Sequence, residues 1–114
     1  MRSEKLYLQD MVEAAADVAR FIAKHSEQSF LADEILQNAV LMKLLIIGEA
    51  AAHLSRELRD RYAQVPWADI VAFRNFAAHA YFSVNWKRVW NTATGDVPAL
   101  GSAVQATLRT EFPQ

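Results

Sequence analysis

The stretch Ala39-Val40-Leu41-Met42-Lys43-Leu44-Leu45-Ile46-Ile47-Gly48-Glu49-Ala50-Ala51-Ala52-His53-Leu54 decides the fold. Its apolar residues occupy every face of a helix rather than one stripe, so the helix must be covered all round. Two coverings are open: the other helices of the same chain, or a second copy of it. A small bundle does not easily enclose a whole circumference, which favours a homodimer whose interface includes this helix. Gly48 at mid-helix costs about 1 kcal/mol relative to alanine, a loss that close helix contact can offset. Lys43, Glu49 and His53 interrupt the apolar run, and it is too short for a membrane span.

Working outward, the remaining periodicity is helical as well. From Ser3 to about His25, apolar residues recur at Leu6, Met11, Val12, Ala15, Val18, Ala19 and Ile22, with Ser3 placed to cap the first turn. A polar segment, Ser26 to Ser29, separates this from a second helix expected from about Ala32 to Arg61, with Asp33 and Glu34 at its positive end. Pro66 suits the first turn of a third helix running to about Tyr81. A fourth is expected from Asn85 to Ala93; Thr94-Gly95-Asp96 interrupts it, and Pro98 opens a further turn toward Phe112. No segment alternates with period two. The expectation is one domain over residues 1–114, an all-α up-and-down bundle of four or five helices.

Composition narrows the function classes. Of 114 residues, 53% are hydrophobic and 22% charged, enough apolar chain for a core. Twelve Lys and Arg against thirteen Asp and Glu leave a formal charge of −1, which argues against holding nucleic acid by bulk positive charge but leaves room for a local phosphate grip. The absence of cysteine removes disulfides, thiolate zinc sites and cysteine nucleophiles together. The N-terminus lacks a signal-peptide core, so a cytoplasmic location is expected.

The chemistry concentrates in Phe73-Arg74-Asn75-Phe76-Ala77-Ala78-His79-Ala80-Tyr81. Arg74 is an anion-binding group and His79 a ring that titrates near neutral pH, a pair suited to phosphodiester work. Five helical residues turn through about 500°, leaving the two side chains roughly 140° apart. They converge only if the helix breaks near Ala78-His79, or if two subunits each bring a copy to a shared cleft. Arg74 and Tyr81, seven apart, share a face if the helix continues. Alone, an arginine with a histidine five residues on is more often a surface ion pair and a partly buried ring. Glu49 and His53 at i, i+4 offer two metal ligands but no third, so a structural pair is the better reading. His25 reads as a charge at a helix C-terminus, and Arg56, Arg59 and Arg61 as a solvated basic end.

These residues resemble the HepT-like branch of the HEPN domains. The likeness rests on Pro66-Trp67, Ile70, Arg74-Asn75-x3-His79-x-Tyr81, Val84-Asn85 and Val89-Trp90. Upstream it adds Asp10, Phe30, Asp33, Ala39-Val40 and Ile47-Gly48-Glu49-Ala50, and it spans about Leu6 to Leu100. Asn85 is a departure, since an acidic residue is commoner there. The resemblance implies an all-α homodimer acting as a metal-independent endoribonuclease, the toxin of a toxin–antitoxin pair, without a cofactor. It implies an antitoxin partner, a minimal nucleotidyltransferase of the MntA type, that transfers AMP to the motif tyrosine. On this chain Arg74 and His79 become the catalytic pair, Asn75 and Glu49 supporting residues, and Tyr81 the modification target. RNA would be cut by its own 2′-hydroxyl. A different class also fits: a non-catalytic helical protein that binds a nucleotide or a nucleotidyltransferase partner.

Overall fold

A computed structural model describes residues 2–79 and 85–113, with residues 76–79 described through their backbone alone. Among the described residues the chain is all helical. Its elements are α1 (Glu4–Ile22), α2 (Glu27–Leu31), α3 (Glu34–Ala52), α4 (Arg56–Arg61), α5 (Trp67–His79), α6 (Trp86–Asn91), a π-helical segment (Thr92–Asp96) and α7 (Val97–Glu111).

Four long helices make the bundle, and the other elements are connectors. α3 packs against α1 on one side and α5 on the other, and α7 packs against α1. Val40, Leu44, Ile47 and Ala51 of α3 are wholly buried, together with Leu8, Met11 and Val18 of α1 and Val104 of α7. The helix start signals work as side-chain physics demands. Ser3, Asp33 and Ser55 each accept a hydrogen bond from the backbone N–H three residues on, as does Asn85 from Arg88, which settles one orphan donor per helix. At 19 residues α3 is longer than the run read from the sequence as too short for a membrane span, and by length and composition it could cross one; here its buried residues form the centre of the core.

Three expectations about the connections are corrected. The helix expected to run unbroken from Ala32 to Arg61 stops at Ala52, with His53 as its C-cap, and restarts at Arg56. Leu54 and Leu58 are both buried on either side of the break, so apolar periodicity passes through it unchanged. The segment expected as a polar linker forms α2, because Ser26 and Ser29 exchange hydrogen bonds in a capping box and Phe30 is driven into the core. Gln37, itself buried, closes the other end by donating to the carbonyls of Phe30 and Leu31 at 3.1 Å each. Finally, Thr94-Gly95-Asp96 does not interrupt the chain's helical winding but lies in the π-helical segment, where the Val97 N–H donates to the Thr92 carbonyl. The stripe Val89, Ala93, Val97 has two successive spacings of four, and all three are buried. The wider π turn keeps that stripe on one face, where a regular α-helix would let it drift.

Polar clamps tie the helix ends together. The Ser55 N–H donates to Glu4 Oε1 at 2.6 Å, joining the start of α1 to the α3–α4 junction. Lys43 pairs with Asp17 at 2.9 Å between α3 and α1, and that hydrogen bond is the chief reason the Asp17 carboxyl titrates below its ordinary range. Glu111 at the end of α7 receives the Arg61 guanidinium and, at 2.8 Å, the Tyr62 hydroxyl. Arg61 thus belongs to a clamp, while Arg56 pairs along α4 with Asp60 at 3.8 Å. His25 lies just beyond the end of α1, where its backbone N–H donates to the Ile22 carbonyl at 2.9 Å and its Nδ1 meets Ser29 Oγ at 3.2 Å.

Candidate functional site

Arg74 is set in place by what α3 lacks. A Cβ built on Gly48 would lie 2.5 Å from the Arg74 backbone nitrogen and 3.1 Å from its Cα and Cβ. Only a residue without a side chain permits this approach of α3 and α5. The expectation of close helix contact at Gly48 is therefore met, and its partner is the backbone of Arg74.

Glu49, the next residue on α3, then faces the arginine side chain. Glu49 Oε1 lies 3.6 Å from Arg74 Nε, and Oε2 lies 3.8 Å from His53 Nε2. The three side chains are 40%, 46% and 55% exposed for Arg74, Glu49 and His53. Pairs this open contribute little to stability. They leave the guanidinium available to an incoming anion, with Glu49 as a weakly held counter-charge. Asn75 follows on α5 and is exposed. The pairing of Glu49 with His53 agrees with the structural reading of that spacing, and among the described residues no group of three metal-ligating side chains forms.

α5 is unbroken through His79, its last residue. Positions 74 and 79 therefore keep the roughly 140° separation of five helical residues. Of the two routes to convergence, a break between them is absent. The His79 side chain, and Tyr81 with its expected role, lie outside what is described.

Two features of the site were not foreseen in the sequence. One is a ring stack: Tyr7 of α1 lies on His53 with centroids 4.9 Å apart and planes 7° from parallel, and the Arg2 guanidinium carbon sits 5.3 Å from the Tyr7 ring centre. The other is a seam along α3. Ile35, Ala39, Met42, Ile46, Glu49 and His53 follow one another at alternating intervals of four and three, the spacing of a helix that meets another helix along one line. Ile35 is 84% and Met42 55% exposed, unusual for large apolar side chains. The seam starts apolar and turns polar at its end, with Glu49, which faces Arg74, and His53.

Comparison with known proteins places the chain in a family. A family profile described as ribonuclease HepT-like matches residues 11–107, the region that holds α3, α5 and the whole Arg74–Tyr81 element. This chain belongs to the HepT-like ribonuclease family. Its HEPN-type relatives include "Putative RNase MJ1380" of Methanocaldococcus jannaschii, 32% identical over 91% of this chain and 95% of the relative. "Probable ribonuclease HepT" of Thermococcus cleftensis is 34% identical over 87% and 90% of the two chains. "Putative RNase TTE0752" of Caldanaerobacter subterraneus is 31% identical over 97% and 99%. No solved structure matches significantly. The all-helical bundle is consistent with that HepT-like membership.

Proposed function

We propose that this HepT-like protein is a metal-independent endoribonuclease, the toxin of a prokaryotic toxin–antitoxin pair, working in the cytoplasm as a homodimer. The observation that carries the reading is the α3 seam. A second copy packed on Ile35, Met42 and the half-buried Ala39 and Ile46 between and beyond them would take the two most exposed large apolar side chains among the described residues out of water, and exposed apolar side chains grouped on one face are the usual mark of such a surface. The polar end of the same seam, at Glu49, would then border a cleft between the subunits. Two copies of α5 would reach that cleft, so that Arg74 of one and His79 of the other need not converge within one helix.

In that cleft the reaction follows from side-chain chemistry. A scissile phosphate displaces Glu49 from the Arg74 guanidinium, which offers a planar, doubly donating grip on phosphate oxygens. The 2′-hydroxyl oxygen attacks the adjacent phosphorus while its proton passes to a base. The new O–P bond forms as the bond to the 5′-oxygen breaks, and that oxygen takes a proton from an acid. His79 from the two subunits supplies base and acid on opposite sides of the bond, and Arg74 steadies the extra negative charge of the five-coordinate transition state. The products are a 2′,3′-cyclic phosphate and a 5′-hydroxyl, and DNA resists for want of the 2′-hydroxyl. Asn75 and Glu49 support the site. Tyr81, just past His79, is the acceptor for AMP from an MntA-like nucleotidyltransferase antitoxin.

Cleavage of RNA by the purified protein in excess EDTA tests the reading directly. Cutting should persist, yield cyclic phosphate ends, and fall by on the order of 10²- to 10⁴-fold in His79→Ala. Arg74→Ala should fall similarly. Absence of cutting by the unmodified protein purified free of any partner, in a protein that still binds a nucleotidyltransferase when one is added, would favour the non-catalytic partner reading.

A further inference from the structure

The Tyr7–His53 stack is left unused by the catalytic reading. His53 caps the C-terminal end of α3, and its ring lies flat on Tyr7, only 7° from parallel. Beside that stack, the His53 side chain as a whole stays 55% exposed. The plane is held on several sides. The Arg2 guanidinium carbon lies over the Tyr7 ring, 5.3 Å from its centre, and Tyr7 itself packs against the core. The imidazole edge is drawn toward Glu49 Oε2 at 3.8 Å. The other oxygen of that carboxylate faces Arg74 Nε at 3.6 Å. A half-exposed aromatic ring, stacked on Tyr7, therefore shares one carboxylate, Glu49, with the group proposed to grip phosphate.

We propose that the open face of His53, backed by Tyr7, is a nucleobase-stacking subsite for single-stranded RNA, seating the base next to the phosphate held at Arg74. This rests on the ribonuclease reading above and names what that site recognises. A phosphate grip alone holds every nucleic acid alike, whereas an aromatic plane accepts only a base free to leave its stack. The chain's formal charge of −1 makes such a contact more consequential, since bulk attraction to the RNA backbone is absent. Stacking tolerates any base, so the subsite selects unpaired over paired RNA rather than one sequence.

Steady-state cleavage of a fluorogenic single-stranded oligoribonucleotide by the full-length protein tests the proposal. His53→Ala should raise KM about tenfold with kcat nearly unchanged, in the range expected when one base loses its stacking partner. His53→Phe keeps the plane but cannot pair with Glu49, so it should restore KM to near the wild-type value. Tyr7→Leu, which removes the backing ring, should raise KM partway. An unchanged KM in His53→Ala overturns the proposal. So does His53→Phe behaving like alanine, because His53 would then act through Glu49 instead. A parallel arm measures anisotropy of a labelled single-stranded oligoribonucleotide and of its duplex. Loss of single-strand affinity in His53→Ala supports the subsite even if the wild type cuts nothing, an outcome that defeats the ribonuclease reading alone. Equal affinity of His53→Ala and wild type overturns the subsite whether or not cleavage occurs.

Discussion

Gly48 and Arg74 meet backbone to backbone, so near that a methyl group on Gly48 would fall 2.5 Å from the Arg74 nitrogen. The helix that carries Arg74, the residue proposed to grip phosphate, is thus positioned by an absent side chain on its neighbour. Gly48→Ala gains about 1 kcal/mol of helix propensity but forces α5 away from α3. Overpacking of this kind typically costs about 1–3 kcal/mol, and the obstacle here is backbone, which cannot rotate aside. The net expectation is a lower thermal midpoint. A displacement of about 1 Å at Arg74 should also cut RNA cleavage by on the order of 100-fold. A variant with wild-type melting and wild-type activity would contradict the close approach.

The α3 seam sets the expectation for assembly. Sedimentation at micromolar concentration should give a dimer. Met42→Glu places a charge on a side chain that is already 55% exposed in the single chain, so the bundle should remain folded. In a packed interface the same charge is buried and unpaired, a loss of several kcal/mol. The variant should sediment as a monomer with undiminished helicity and lose cleavage. A wild-type protein that stays monomeric and active would refute the composite cleft.

Tyr81 offers a test of regulation. Incubation with the nucleotidyltransferase partner and ATP should add AMP to the peptide containing Tyr81, seen by mass spectrometry. The added phosphate would compete for Arg74 through charge-assisted hydrogen bonds and occupy the path of the RNA. Tyr81→Phe keeps the ring without the acceptor oxygen and should stay toxic in the presence of that partner. If it is silenced as well as wild type, inhibition works by binding alone.

Glu111 gives the acid limb of stability. The Arg61 hydrogen bond, then that from Tyr62, holds its carboxyl below the ordinary value. A carboxylate with a depressed folded pKa stabilises the native state fully above its unfolded value of about 4.3, and that contribution is lost as pH falls through the lower folded value. Thermal midpoints should therefore be level above about pH 5 and decline below about pH 4, with Asp17 adding in the same direction. Glu111→Gln should melt earlier than wild type at pH 7 and show a shallower acid decline. Equal pH slopes would mean that the α4–α7 clamp contributes nothing.

Much of this architecture is legible in the sequence because the signals are local. Ser3, Asp33 and Asn85 announce helix starts, Pro66 precedes α5, and the all-round apolar run of α3 marks the central helix. The break after Ala52 is harder to see, since Leu54 and Leu58 continue the buried pattern across it. Ser55 carries a cap signal, but amid the helix formers Arg56, Glu57 and Arg59 it does not stand out. α2 is too short to show a period. At the site, Arg74 and Glu49 are readable through the motif around them. Their pairing across α3 and α5, and the stack of Tyr7 on His53, depend on how helices cross, and residues so far apart in sequence leave no local mark.

The π-helical turn at Thr92–Asp96 has a consequence for how chains of this kind are aligned. A π turn is an α-helix that has taken in one additional residue without re-aiming its two ends. Gly95 within it is exposed and has open space where a side chain would project. A relative one residue shorter at this point would wind as a regular α-helix and still direct Val89 and Leu100 to the core. A single-residue gap across 92–96 is therefore a change of winding, neutral for the bundle, and should not be read as a boundary between two helices.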